Sequence, residues 1–212
     1  MLRGAGDLVG RSESTLRPPD PGIDLARFPL REHRGGQRLH RAHLKSLNPW
    51  WFSSSQGRFD LAAPRGTLNL ASSRETAARE SLGGVLAAAS TIPATVVSGR
   101  RVSSLEIPRS GFADFTAESA SVFGIVPGDV SAPRADYGLT QTWATAIAAA
   151  GFDGIRSRSR FGSGCCLYVF GAAGEHPLGP VLATTTMRAV LAEMPGMTIE
   201  PTPASESLIV DP

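Results

Sequence analysis

The run Arg156-Ser157-Arg158-Ser159-Arg160 sets guanidinium and hydroxyl side chains in strict alternation. In an extended strand successive side chains point to opposite faces, so three cations share one face and two hydroxyls the other. With the arginines toward solvent, both serines point inward, where a hydroxyl can hold a ligand. Taken alone, the same basic face would equally serve as an RNA-binding edge. Trp50-Trp51-Phe52 is a second unusual run; it is either core or one wall of a pocket, and packing is the commoner use of clustered aromatics. His40 and His43 lie near each other in sequence. A metal site usually needs three or four ligands, and the four histidines form no HExxH pattern, so no metal is expected. Cys165 and Cys166 are adjacent and offer no disulfide framework. Gly4-Ala5-Gly6 with Gly10 has the wrong spacing for a dinucleotide fingerprint, Gly162-Ser163-Gly164 lacks the GxSxG spacing, and no Walker sequence is present.

These residues must be positioned by a chain of 212 residues, 42% apolar, which suits one domain with tails. The net charge of +2 is not that of a nucleic-acid binder. Lys45 is the only lysine, so nearly all the positive charge is carried by planar arginine forks suited to phosphate and carboxylate. Met1 to Gly10 lack a basic start followed by an apolar block, and no stretch approaches the roughly 18 apolar residues of a membrane span. The default expectation is a cytoplasmic protein.

Residues 1–36 hold Pro18, Pro19 and Pro21 without a sustained apolar period, and read as a mobile leader ending in a docking segment around Ile23–Leu30. Gln37–His43 and Gly66–Ala71 read as strands. Ser72 with Glu75 reads as a capping box opening a helix to about Ser81, stopped by Gly83-Gly84. Val96-Val97 and Arg101–Ile107 read as strands and Thr116–Val122 as a helix. Thr140–Ala150 is the clearest helix, with Gly151 at its C′ position. Gly154–Arg156 opens another strand, and Cys165–Phe170 reads as a buried central one. Thr184–Glu193 reads as a helix. The mixture is too irregular for a doubly wound sheet.

Four segments are informative in their order: Leu39-His40-Arg41-Ala42-His43; Asn48-Pro49-Trp50-Trp51-Phe52 running into Gly57-Arg58-Phe59; Leu70 through Glu80; and Thr142–Ile147 leading to Gly151–Arg160. Together they resemble the RES-domain family, named for its arginine, glutamate and serine. The resemblance implies an α/β (α+β) fold, a compact mixed sheet with flanking helices similar to ADP-ribosyltransferase toxins. It places the RES domain at residues 37–172, with 173–212 as a C-terminal helix and extension packed on it. It implies an NAD-degrading enzyme, a glycohydrolase or a phosphorylase, acting as the toxin of a toxin–antitoxin pair. NAD enters as substrate, with no resident cofactor, and the partner is a helix-turn-helix antitoxin. Direct contact with membrane or nucleic acid is not expected, and a homodimer stays open.

Carried over by position, the family arginines fall on Arg41 and Arg58, the glutamate on Glu80 and the serine on Ser159. Glu80, Arg58 and Ser159 are the expected catalytic set; Arg41, Asn69, Trp50 and Phe52 are the expected substrate contacts. Two departures stand out: Asn69 occupies a position where the family usually has tyrosine, and Ser157 one where an aromatic is common. The nicotinamide–ribose bond breaks through a ribosyl cation, much as glycosides break through an oxocarbenium ion. Glu80 would stabilise that cation, the two arginines would clamp phosphates, Ser159 would orient nicotinamide or ribose, and Trp50–Phe52 would exclude water. The alternatives are a non-catalytic module, favoured by Asn69, and a nucleic-acid binder using the Arg156–Arg160 face.

Overall fold

The structure is a computed structural model and describes residues 15–88, 91–131 and 137–201. Along the chain run β1 (Leu30–His33), β2 (Leu39–Leu44), β3 (Trp51–Phe52), β4 (Arg65–Ala71), α1 (Arg74–Ala88), β5 (Thr91–Ile92), α2 (Ala94–Ser98), β6 (Arg100–Leu105) and β7 (Ser110–Asp114). Then come α3 (Tyr137–Ala149), β8 (Gly154–Arg158), β9 (Cys165–Ala172), β10 (Gly174–Glu175), β11 (Val181–Thr186), α4 (Met187–Ala192) and β12 (Thr198–Ile199).

One eight-stranded sheet, ordered β1-β7-β8-β9-β4-β2-β6-β11, dominates. Only β7 and β8 in it run parallel, so the fold is α+β with a mixed sheet. The pleat sorts β4 into two faces. Leu68 and Leu70 join Leu39, Trp50, Phe52, Leu105, Phe112 and Val169 in one apolar layer. Ala71 faces the other layer, which Ala78 and Leu82 of α1, Trp143 and Ile147 of α3, and Met187 and Leu191 of α4 close from above. No helix among the described residues is long and apolar enough to cross a membrane.

Several elements depart from expectation for local reasons. The segment Val96-Val97 lies in α2, opened by Pro93 at its N-cap, and Val97 is buried; burial in a helix outweighs the weak strand preference of β-branched residues. Thr184–Thr186 pair with β6 in β11, and the helix starts only after Thr186, whose hydroxyl caps Ala189 N. The Thr116–Val122 helix is a 3-10 turn at Glu118–Phe123. From residue 15 onward, the segment read as a leader contributes to the fold: β1 edges the sheet beside β7, Leu16 and Phe28 enter the larger core, and Trp143 Nε1 donates to Arg17 O. Residues 1–14 of that reading lie outside the described residues, as do 202–212 of the C-terminal extension.

Candidate active site

The sheet is not uniform across its centre. β4 pairs with β9 through seven residues, and β2 pairs with β6 through six. Between β2 and β4 the only pair is His40 with Ala71. Beyond it the strands part, and β3 enters beside the lower half of β4 through the Ser53–Thr67 bridge. Arg41 fills the wedge. Its Nη1 donates to Asn69 O at 3.3 Å and its Nη2 to Trp51 O at 2.6 Å. Side-chain nitrogens thus satisfy carbonyls that a neighbouring strand would otherwise take.

A cavity of about 150 Å³ opens at this split, lined by His40, Arg41, Asn69, Ala77, Glu80 and Ser81 among others. A cavity of that size accommodates a single six-membered ring, not a whole dinucleotide. Among the described residues, three buried side-chain polar atoms have no partner: His33 Nε2, Arg41 Nε and Asn69 Oδ1. The last two belong to residues lining this cavity.

Glu80 sits midway along α1. Its Oε1 accepts from Ser159 Oγ at 2.6 Å, Arg160 N at 2.7 Å and Phe161 N at 3.4 Å. All three donors come from the β8–β9 loop, which Ser159 N closes by donating to Gly164 O. Two glycines let this loop reach the helix. A Cβ on Gly83 would overlap the Phe161 ring, and one on Gly164 would overlap the Thr76 hydroxyl. Thr76, Glu80 and Gly83 are spaced by four and three residues, so they share one helix face, and the loop lies along that stripe. This is why α1 runs through Gly83-Gly84, the expected stop, to Ala88. It is also why Ser72 is not the cap. Ser73 Oγ accepts from Thr76 N, while Ser72 Oγ accepts from Cys165 N across the loop, and Glu75 pairs with Arg79 instead.

Arg58 is buried behind the carboxylate. Its Nη2 donates to Tyr168 OH at 2.5 Å and to Arg158 O at 3.1 Å, and its Nη1 to Val130 O at 3.2 Å. The guanidinium lies over the rings of Phe59 and Tyr168. Burial works against its charge, but Tyr168 and Glu80 outweigh that and raise it above the ordinary arginine value. Burial pulls Arg41 down to about 10, against the opposing pull of Asp60, so it stays a cation at neutral pH. Burial, helped by Arg74 and Arg38, lowers His40 below 6.5 and keeps it neutral there. Burial pushes Tyr168 well above its ordinary value, so it remains a neutral phenol.

The structure therefore gathers Arg41, Asn69 and Glu80 at one cavity and sets Ser159 on Glu80. The expected phosphate clamp is corrected at Arg58, whose fork is occupied by protein acceptors and which does not line the cavity. The expected pocket wall is corrected at Trp50 and Phe52, which are 2% and 1% exposed and lie in the apolar layer. The pleat of β3 turns Phe52 inward; Gly171 leaves room for its ring, and Gly66 for its Cβ and the backbone of Ser53 and Ala173. Of that aromatic run only Trp51 serves the cleft, through its carbonyl. The alternation in 156–160 holds for the serines: Ser157 and Ser159 are buried. Arg158 is exposed, but Arg156 is drawn into an ion pair with Asp114 at 2.9 Å.

Sequence reasoning missed Tyr168, His40 as a lining residue, the Gly83–Gly164 pair, and Arg38 and Arg74, whose charges act on His40. The spacing of Thr76, Glu80 and Gly83 was the readable signal for the glycine.

The RES domain family model matches residues 37–188. The chain belongs to the RES domain family. Its fold is similar to that of a chain in the crystal structure of the M. tuberculosis MbcT–MbcA toxin–antitoxin complex, with a TM-score of 0.59 and 16% identity over 73% of this chain and 86% of that one. A search of curated protein sequences found no match. The family match continues past the expected boundary at residue 172 to include β11 and the start of α4. Within the matched residues, Arg41 and Glu80 line the cleft at the split between β2 and β4, and Ser159 donates to Glu80 from the β8–β9 loop.

Proposed function

We propose that this RES-domain protein degrades NAD by breaking the bond between nicotinamide and ribose. The observation that carries the reading is the Glu80 carboxylate, pinned on Oε1 by Ser159 and Arg160 N at the edge of a ring-sized cavity. The scissile bond's electron pair goes to the ring nitrogen, so the pyridinium leaves as neutral nicotinamide and needs no acid. The positive charge moves to the ribose carbon. Glu80 Oε2, which accepts none of the carboxylate's three bonds, faces that developing charge and stabilises it. Water or phosphate then captures the ribosyl cation and gives up a proton.

The cavity holds the ring alone, so the ribose and pyrophosphate extend over the rim. Arg38 and Arg74, whose charges act on His40, supply the cationic field that the pyrophosphate needs there. Arg58 braces the site by tying Tyr168 of β9 to Arg158 O at the end of β8. Ser159 positions Glu80.

Family membership and the likeness to a chain of a toxin–antitoxin complex support a further reading. The protein acts as the toxin of such a pair, restrained by a helix-turn-helix antitoxin.

The test is to incubate purified protein with NAD, with and without phosphate, and follow nicotinamide by chromatography. ADP-ribose as co-product identifies water as acceptor, and its phosphate ester identifies phosphate. Expression of the wild type should arrest growth and drain cellular NAD, and Glu80→Gln should do neither. Nicotinamide release no faster than in buffer would remove the enzymatic reading and leave a binding module, the role that Asn69 had suggested.

A further inference from the structure

We infer that Asn69 and Arg41 read the carboxamide of the leaving group, so that the site selects a dinucleotide bearing a neutral amide over its carboxylate counterpart. This rests on the cavity being the nicotinamide pocket. The split between β2 and β4 leaves one buried donor without an acceptor, Arg41 Nε, and one buried acceptor without a donor, Asn69 Oδ1. Both residues line the same ring-sized cavity. Arg41 is not free to turn: its two terminal nitrogens are anchored on Asn69 O and Trp51 O. Such buried atoms are costly to leave unpaired, and native structures rarely tolerate them.

A primary carboxamide carries one carbonyl acceptor and one NH2 donor on a single carbon. That complements the unpaired Nε–H of Arg41 and the unpaired amide oxygen of Asn69, carried on neighbouring strands. A carboxylate offers acceptors only. It would pair with Arg41 but set an anion against Asn69 Oδ1, in a cavity that already contains the Glu80 carboxylate. Turning the Asn69 amide over relieves the first conflict and leaves the second.

The full-length protein is given NAD or nicotinic acid adenine dinucleotide, and release of the free base is measured for each. Wild type should prefer NAD by about 100-fold or more in kcat/KM, since sites built around a substrate N–H discriminate strongly against analogues lacking it. Asn69→Leu, of similar volume, should bring the two substrates within about tenfold. Arg41→Lys keeps a cation, lacks the Nε–H and should narrow the ratio as well. Equal rates on both dinucleotides in wild type, or a ratio unmoved in Asn69→Leu, overturns the assignment. Calorimetric titration with nicotinamide and nicotinate separates this outcome from failure of the enzymatic reading. If nothing is released, yet nicotinamide alone binds wild type and not Asn69→Leu, the carboxamide site stands and the cleavage reading falls. If neither ligand binds wild type, the carboxamide assignment falls as well.

Discussion

The two flanks of β4 behave differently. On the β9 side, seven consecutive pairs close the ladder, and Leu68 and Leu70 are fully buried beside it. On the β2 side, one pair is made, a guanidinium replaces the missing strand contacts, and two polar atoms go unpaired. The closed flank spends its backbone groups on stability. The open flank keeps donors and acceptors available for a ligand, because an interrupted ladder is where a sheet can present them.

That contrast can be broken from either side. The largest effect is expected at the open flank: Glu80→Gln keeps an acceptor for Ser159 but removes the charge, and should lower kcat for nicotinamide release by about 10²–10³. Its melting temperature should stay close to wild type, and an activity within threefold would dissociate Glu80 from the chemistry. Leu68→Ala on the closed flank should cost about 2–5 kcal/mol in chemical denaturation, with kcat per folded molecule retained. A loss below 1 kcal/mol would mean that the ladder does not carry the stability assigned to it. Gly83→Ala should do both in moderation. The added methyl meets the Phe161 ring, costs about 1–3 kcal/mol as overpacking, and slackens the loop that holds Glu80. Turnover should then fall further than the unfolded fraction accounts for.

The smallest effect is a pH dependence that sharpens the comparison. Burial, the leading cause in each case, lowers His33, His40 and His43 below the ordinary 6.5. Unfolded imidazoles protonate near 6.5 and the folded ones only at lower pH, so the unfolded chain binds more protons across that window. Stability therefore falls as the solution is acidified through about 6.5. Thermal melts between pH 7.5 and 5.5 should show a steady decline, and His40→Gln should flatten part of it. A melting temperature that rises on acidification contradicts the assignment.

Much of the framework was legible in the chain. The alternation of Gly66–Ala71, the apolar run Cys165–Phe170 and the amphipathic Thr140–Ala150 placed β4, β9 and α3, because one period of apolar spacing has one structural solution there. The order of the arginine, glutamate and serine segments brought the RES domain into view. The misreadings share a cause. Gly83-Gly84 read as a stop and Val96-Val97 as a strand, since each was weighed against its own neighbours in sequence. What decided them was a partner far along the chain: Phe161 over Gly83 and the helical core beneath Val97. Arg58 and the Trp50–Phe52 run were taken for ligand contacts because residue type reports what a side chain can bind and not which acceptors reach it first.

By itself the sequence determined the family, the mixed α+β character and the identities of the charged groups, since periodicity and residue order survive in one dimension. Only the tertiary structure decided which groups face the cavity. Strand register and the parting of β2 from β4 are long-range outcomes, and they determine that Arg41 and Asn69 keep unpaired atoms while both terminal nitrogens of Arg58 are held by protein acceptors.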